Sequence, residues 1–218
     1  MDTQIKYCGA KSEEDCKLIA DSAAAIIGFV FAPSKRQVTA GQVKNWSRFL
    51  PERIRKAGVF QDSSSREIIE AAEECGLDII QFHGNEPPEL LSEIKTITGL
   101  TVFKALKGSS RLVEEMIRYD KAADGYIIDS AKGSQFGGTG TTFDWTFIPS
   151  AAREAHRQGA SLFIAGGITA ENAASLLLYK PDGIDVSSGI EEDGQKNVSR
   201  ILMLERVIEE YENRTIAR

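Results

Sequence analysis

Eight short apolar runs recur along the chain, and their number and order constrain the fold more than any other feature. Each run is rich in β-branched or aromatic residues, and polar or helix-like stretches separate one run from the next. The runs are QIKYC, AIIGFVF, KAGVFQ, DIIQFHG, LTVFKAL, DGYIID, SLFIAGG and GIDVSSG. Strands that alternate with helices in this way are typical of a parallel α/β protein.

The count of eight strands distinguishes between two parallel architectures. The spacing of the runs fits both a closed barrel and an open doubly wound sheet. No GxGxxG motif follows the first run, which weighs against an open dinucleotide-binding sheet, and eight strands favour a (β/α)8 TIM barrel. Because the 218 residues contain no linker-like or low-complexity tract, we expect a single barrel domain over residues 1–218.

Five stretches between or after the runs have the periodicity or the end signals of helices. Ser12 begins an S-E-E-D sequence that resembles a capping box with Asp15 in the place of Glu or Gln, and Thr169 is a predicted N-cap. The predicted helices span residues 12–25, 65–75, 87–97, 169–179 and 197–213. The longest stretch without periodicity is the glycine-rich segment 130–142, which we predict to be a mobile active-site loop.

Composition argues against several classes of protein. The net charge is -6 and no block of Lys or Arg is present, so nucleic acid is not the expected partner. The three cysteines are irregularly spaced and form no cluster with histidine, so we expect neither a disulfide framework nor a metal site. The chain shows no signal-peptide pattern and no apolar run of bilayer length, which predicts a cytoplasmic protein without a membrane partner.

The carboxyl ends of the strands are where a (β/α)8 barrel carries its active site. At the last two ends, small residues allow backbone N–H groups to approach an anion closely, and phosphate sites in such barrels use these loops. The predicted phosphate-binding residues are Gly166, Gly167, Ser187, Ser188 and Gly189. The alternative is that these are tight turns without a ligand.

Two other strand ends carry groups capable of proton transfer. Asp129 ends the sixth run directly before the predicted loop, where it could act as a general acid or anchor the loop by a hydrogen bond. Cys8 ends the first run and shares a face with Lys6, whose ammonium group would favour the thiolate. The alternative for Cys8 is an inert packed thiol, which is also our interpretation of Cys16 and Cys75.

Three further side chains are candidates for binding a substrate. Arg36 follows the second run and could grip a carboxylate with its fork, or it could be a solvated charge like its neighbour Lys35. Asp185 could contact substrate or pair with Lys6 inside the barrel. His83 could contact substrate or form a hydrogen bond to a neighbouring loop.

The ordered set of strand-end motifs resembles one family. K-x-C-G, GFVF-x-x-SKR, AGVF, IQFHG, GGTG-x-x-FDW, AGG-x-T-x-EN and DVSSGIE-x-x-G-x-KN together look like phosphoribosylanthranilate isomerase, from Lys6 to about Arg206. The resemblance implies an Amadori rearrangement of a phosphorylated sugar in tryptophan biosynthesis, without metal or cofactor, by a monomer or homodimer.

The resemblance also implies roles for individual residues. Cys8 corresponds to the general base and Asp129 to the general acid. Arg36 corresponds to the residue that holds the anthranilate carboxylate, and Asp185 lies near the anthranilate nitrogen. The small residues after the last two strands correspond to the phosphate-binding turns.

Two alternatives to this activity are carried forward. The isomerase of histidine biosynthesis performs the same rearrangement on a substrate with two phosphates, but its first-strand base is an aspartate where this chain has Cys8. A non-catalytic phosphate-sugar binding protein could use the same scaffold. The presence of both an acid and a base argues against that second alternative.

Overall fold

A computed structural model describes residues 3–130 and 142–216 and contains a closed barrel of eight parallel strands. The strands are β1 Gln4–Cys8, β2 Ile26–Val30, β3 Arg55–Phe60, β4 Ile79–Phe82, β5 Thr101–Lys107, β6 Gly125–Asp129, β7 Ser161–Ala165 and β8 Gly183–Val186. Each strand pairs with the next, and β8 pairs with β1. The prediction of a (β/α)8 barrel is therefore confirmed. Most of the predicted active-site loop, residues 131–141, lies outside the described residues.

Eight helices are described around the strands. They are α1 Glu13–Ala20, α2 Ala40–Ser47, α3 Ser65–Cys75, α4 Pro88–Thr98, α5 Leu112–Arg118, α6 Ile148–Arg157, α7 Ala170–Leu177 and α8 Val198–Ile216. Five of them correspond to predicted stretches, whereas α2, α5 and α6 were not predicted. Within the described ranges, none of the helices has the length and apolarity needed to cross a membrane.

Helix α1 is shorter than the predicted span, residues 12–25. It ends at Ala20 because the following residues form a turn that Arg53 holds from outside: its guanidinium donates to the carbonyls of Ala20, Ser22 and Ala24 at 2.9 to 3.0 Å. The predicted capping box also differs from the observed cap. The Ser12 hydroxyl accepts from the Asp15 N–H as expected, but the Asp15 carboxylate accepts from the N–H of Lys11.

The interior of the barrel is filled by side chains, so the site lies above a packed core. A compact apolar cluster, separate from the larger core between strands and helices, comes from alternate positions of the strands. Its buried members are Ile26, Ala57, Ile79, Phe103, Ala105, Ile127, Phe163 and Ala165. Ala165 of this cluster also lines a cavity at the carboxyl ends of the strands.

The seam between β1 and β8 is reinforced by the last helix. The Tyr7 hydroxyl donates to Glu205 on α8 at 3.0 Å, and the N–H of Thr3 donates to Glu212 at 2.6 Å. A short antiparallel hairpin, β9 Glu191–Glu192 and β10 Gln195–Lys196, connects β8 to α8. This hairpin sits beside the end of β1, because Lys196 donates to the carbonyl of Cys8.

Candidate active site

All ten predicted site residues line one cavity at the carboxyl ends of the strands. They are Cys8, Arg36, His83, Asp129, Gly166, Gly167, Asp185, Ser187, Ser188 and Gly189. The residues come from six different strand ends, so only the closed barrel brings them together. Their roles stay predictions, but their convergence on one concave surface is what a small-molecule site requires.

The strand order fixes how these groups are arranged around the mouth of the barrel. Cys8 ends β1 and Asp129 ends β6, and on the shorter way round the ring β7 and β8 lie between them. The glycine- and serine-rich turns after β7 and β8 therefore lie on the arc between the thiol and the carboxyl group. Arg36 follows β2, on the other side of Cys8 from those turns.

The thiol of Cys8 faces the cavity across from a glycine. Cys8 pairs with Gly28 of β2, and a Cβ atom at Gly28 would lie 2.7 Å from the Cys8 sulfur. Burial raises the pKa of this thiol above its ordinary value, although the ammonium groups of Lys6 and Lys196 act in the opposite direction. Lys6 therefore favours the thiolate, as expected from the sequence, but the loss of hydration outweighs the nearby charges.

Asp185 forms a buried ion pair with Lys6. Lys6 Nζ donates to Asp185 Oδ2 at 2.8 Å, and the two residues are in register across the seam between β1 and β8. Burial lowers the pKa of Lys6, but Asp185 and Cys8 together raise it, so the ammonium form is retained. Asp185 also lines the cavity, and its Oδ1 is buried with no hydrogen-bond partner among the described residues.

Arg36 is not a solvated surface charge. Its side chain is 13% exposed, and its Nε and Nη2 atoms donate to the two carboxylate oxygens of Glu191 at 2.8 and 2.7 Å. The neighbouring Lys35 is exposed, so the two adjacent cations differ in environment. The fork of Arg36 does grip a carboxylate, but this carboxylate is Glu191 of the same chain.

Lys196 and Glu191 are the charged residues of the site that sequence reasoning missed. Lys196 Nζ donates to the carbonyl of Cys8 at 2.7 Å, to the carbonyl of Ser187 at 3.2 Å and to Glu191 at 3.0 Å. Burial opposes ionisation of Glu191, yet hydrogen bonds and charges from Arg36 and Lys196 lower its pKa to about 2. Both residues lie within the DVSSGIE-x-x-G-x-KN motif, and their charged character in that motif was the available signal.

His83 lies beside the predicted acid. Its Nε2 is 3.6 Å from Asp129 Oδ2, and its Nδ1 is 3.2 Å from the side-chain amide of Gln81. The turn that follows is held by Lys104, which donates to the carbonyl of Gly84 at 2.7 Å and to Glu86 at 2.8 Å. The imidazole is thus positioned at the cavity wall, next to a carboxyl group.

The turn after β7 has the backbone form that suits an anion site. Gly166 and Gly167 have φ of 81° and 66°, which favour glycine, and a Cβ atom at Gly166 would lie 2.6 Å from Asp129 Oδ1. Thr169 then caps α7 in a reciprocal box with Asn172, whose amide also donates to the carbonyl of Gly167 at 2.8 Å. Small residues here leave backbone N–H groups accessible from the cavity.

No group of three or more His, Cys, Asp or Glu side chains that could hold a metal ion occurs within residues 3–130 and 142–216. Arg36 and Asp185, which line the cavity, are paired with charged residues behind its wall. Lys6 pairs with Asp185, and Arg36 and Lys196 share Glu191. The cavity therefore combines a glycine-rich turn, one thiol, the carboxyl groups of Asp129 and Asp185, and one arginine fork.

Comparison with known proteins gives a consistent result. A family model described as N-(5'phosphoribosyl)anthranilate (PRA) isomerase matches residues 5–207. The N-(5'-phosphoribosyl)anthranilate isomerase of Geobacillus thermodenitrificans is 41% identical over 209 residues, covering 95% of this chain and 95% of that protein.

Solved structures agree with the sequence matches. The phosphoribosyl anthranilate isomerase of Thermotoga maritima superposes with a TM-score of 0.84 at 31% identity, covering 95% of this chain and 99% of that chain. A phosphoribosyl anthranilate isomerase in complex with reduced 1-(o-carboxyphenylamino)-1-deoxyribulose 5-phosphate gives 0.80 at 29% identity, with the same two coverages.

Proposed function

The chain belongs to the N-(5'-phosphoribosyl)anthranilate isomerase family, and on that premise we propose how its own residues carry out the reaction. The substrate is N-(5-phosphoribosyl)anthranilate, and the product is 1-(2-carboxyphenylamino)-1-deoxyribulose 5-phosphate, formed by an Amadori rearrangement in tryptophan biosynthesis. The observation that supports these roles is that a thiol, a carboxyl group, an anion-type turn and an arginine fork line one cavity.

The two ends of the substrate determine its orientation. Its phosphate binds the backbone N–H groups of Gly166, Gly167, Ser188 and Gly189 and the hydroxyl of Ser187, on the arc between β6 and β1. Its anthranilate carboxylate binds Arg36 beyond β2. Between these anchors, Asp185 Oδ1 accepts a hydrogen bond from the anthranilate nitrogen, a role that suits a buried oxygen without a partner among the described residues.

Asp129 acts first, as general acid. It protonates the furanose ring oxygen, the bond from C1′ to that oxygen breaks, and the anthranilate nitrogen forms an iminium with C1′. His83 lies beside Asp129 and helps to orient its carboxyl group. Fixing both ends of the substrate supplies the positioning that this step requires.

Cys8 acts second, as general base. Its thiolate removes the proton from C2′. The electron pair of that bond forms the C1′=C2′ double bond, and the π pair of the iminium moves to nitrogen, which gives a neutral enolamine. Transfer of a proton to C1′ and loss of the hydroxyl proton at C2′ complete the ketone. Because the iminium itself acidifies the C2′–H bond, the chemistry requires no metal or cofactor.

Turnover of enzymatically generated N-(5-phosphoribosyl)anthranilate, followed by the change in anthraniloyl fluorescence, tests this mechanism. Cys8→Ser and Asp129→Asn should each lower kcat by about 10² or more, as expected for general acid–base groups. The matched controls are Cys75→Ser, a buried thiol on α3 outside the cavity, and Asp193→Asn, an exposed carboxylate. Both controls should keep wild-type rates.

Wild-type rates in Cys8→Ser or Asp129→Asn would overturn the corresponding role. A folded wild-type protein that does not turn over the substrate would contradict the activity itself. The substrate of the analogous histidine-pathway isomerase would then be assayed, and tight binding without turnover would instead identify a phosphate-sugar binding protein.

A further inference from the structure

Three charged side chains form a nearly buried cluster beside the thiol. Arg36, Glu191 and Lys196 have side-chain exposures of 13%, 7% and 1%. Two of them, Glu191 and Lys196, lie on the β9–β10 hairpin and have no part in the acid–base scheme. Buried charges are costly unless they are paired, so a cluster of this kind at a cavity wall requires an explanation.

The contact between Glu191 and Arg36 uses only one edge of the guanidinium. A guanidinium carries five N–H donors in a rigid planar fork. Glu191 takes the edge formed by Nε and Nη2. Among the described residues, Glu191 is the hydrogen-bond partner of this side chain. The Nη1 donors and the second Nη2 donor can therefore donate to the carboxylate of a ligand in the cavity that Arg36 lines.

Lys196 has no donor left for a ligand. An ammonium group has three N–H donors, and the acceptors of Lys196 are the carbonyl of Cys8, the carbonyl of Ser187 and the carboxylate of Glu191. The Lys196 side chain therefore connects the end of β1, the turn after β8 and Glu191, which holds Arg36. These are the segments assigned above to the base, the phosphate and the substrate carboxylate.

We propose that Glu191 and Lys196 are positioning residues of the isomerase: Glu191 holds Arg36 with its outer edge presented to the substrate carboxylate, and Lys196 ties this anchor to the strand end that carries Cys8. The inference rests on the proposed function. An opposite role for Glu191 makes a different prediction, because a carboxylate that merely competes with the substrate for Arg36 would weaken binding.

Binding of two product analogues separates these roles. The first is reduced 1-(o-carboxyphenylamino)-1-deoxyribulose 5-phosphate, and the second is the same compound with phenyl in place of carboxyphenyl. Glu191→Gln keeps the shape of the side chain and removes its charge. We expect its Kd for the carboxylate analogue to rise about tenfold, the size of a charged hydrogen bond, and its Kd for the phenyl analogue to stay unchanged.

The matched control is Glu192→Gln, because Glu192 is the adjacent residue on β9 but is exposed and contacts Asn197 and Arg200 instead. It should bind both analogues like wild type. Tighter binding of the carboxylate analogue to Glu191→Gln would show competition and overturn the proposal. Equal changes for both analogues, or no change for either, would overturn it as well.

The role of Lys196 is tested without substrate. The rate at which iodoacetamide alkylates Cys8, followed by peptide mapping, reports the fraction of thiolate at each pH. Lys196→Met should displace this pH profile to higher pH, because a cation held at the Cys8 strand end is lost, whereas Lys35→Met, at an exposed cation, should leave it unchanged. If Lys196→Met does not fold, Lys196→Gln removes the charge and keeps a donor.

An unchanged alkylation profile in the folded Lys196 variant would overturn the link between Lys196 and the base. The two experiments also separate this inference from the proposed function. If wild type binds neither analogue and does not turn over N-(5-phosphoribosyl)anthranilate, the proposed function fails. If wild type does both and Glu191→Gln behaves like Glu192→Gln, only the positioning role fails.

Discussion

The titration of Cys8 is a balance between opposing effects at a single atom. Its thiol is surrounded by protein, which disfavours the thiolate, and faces two ammonium groups, which favour it. The sequence predicts the thiol at the strand end and predicts Lys6 on the same face. It does not predict the net direction, because that depends on how much water the packed strands exclude from the sulfur.

The pH dependence of the reactivity of Cys8 follows from that balance. Iodoacetamide reacts with the thiolate, and burial holds the pKa of the Cys8 thiol above its ordinary value of about 9. The thiolate fraction therefore increases with pH throughout the neutral range. We expect the rate of Cys8 alkylation to rise between pH 6 and about 9, a readout that does not depend on protonation of Asp129.

Rates of iodoacetamide alkylation in buffers of constant ionic strength, with peptide mapping of Cys8, would measure this profile. A plateau that begins below about pH 8 would contradict the raised pKa of Cys8. The same measurement on Lys196→Met provides a comparison, since its profile should lie at higher pH still.

The predicted and the missed residues of the site differ in how they are positioned. Cys8 and Asp129 could be found because strand ends in a barrel meet on one face, whatever the loops do. The positions of Glu191 and Lys196 depend on the short hairpin of β9 and β10, two residues in each strand, in which these two residues pair with each other. The Asp193-Gly194 pair, with φ of 50° and 76°, is typical of the turn in such a hairpin, but only the tertiary contacts show that these two charged side chains are buried beside the site.

At the scale of single elements, the three unpredicted helices differ in their intrinsic preference for helix. Helix α2 contains glycine, asparagine and serine, which favour helix poorly, whereas α5 and α6 contain good helix formers but are only 7 and 10 residues long. Each is held mainly by the burial of a few side chains: Val43 on α2, Leu112 and Met116 on α5, and Ile148, Ala151 and Ala155 on α6. Tertiary packing stabilises these helices, and a single sequence contains little sign of it.

Strand β2 contributes Gly28 to the site, where the lack of a side chain leaves room for the thiol of Cys8. A methyl group at Gly28 would lie 2.7 Å from the Cys8 sulfur and 3.1 Å from its Cα atom, closer than van der Waals contact allows. Gly28→Ala should therefore displace the thiol and lower kcat by about tenfold or more, since small misplacements of a reacting group are costly. Steady-state kinetics would measure the loss.

The control for this variant is Gly41→Ala on α2. The nearest atom to a methyl group there is Glu74 Oε1 at 3.9 Å, so no rearrangement is needed. Activity should be unchanged, and stability unchanged or slightly higher, because alanine is the better helix former. Wild-type kcat in Gly28→Ala would show that the thiol tolerates the displacement and would contradict the prediction.

At the scale of the whole molecule, closure is what turns eight strands into this fold. The sequence predicts the number of strands, yet their spacing fits a closed barrel and an open sheet equally well. The difference lies in the pairing of β1 with β8, which brings Lys6 into register with Asp185. Pairing between the first and last strands leaves no local pattern, so only the count of eight favoured the barrel.

Helix α8 covers this seam, and its buried face should contribute strongly to stability. Leu204 is 1% exposed and belongs to the main core. Leu204→Ala should lower the free energy of unfolding by about 2 to 5 kcal/mol, as removal of a buried leucine side chain does. Urea unfolding followed by circular dichroism would measure this change.

Leu202 on the same helix is 59% exposed and provides the control. Leu202→Ala should change the free energy of unfolding by no more than about 0.5 kcal/mol. Equal losses in the two variants would mean that the outer face of α8 is also covered in solution.

The ion pair between Lys6 and Asp185 joins residues that are 179 positions apart in the chain. The proposed base and the residue expected beside the anthranilate nitrogen therefore come together only when the first and last strands meet, and long-range contacts of this kind form slowly. A nascent chain in which only seven of the eight strands have been synthesised therefore lacks a complete active site. During refolding, the recovery of activity should lag behind the recovery of helical signal, so the enzyme's own turnover reports when the ring of strands has closed.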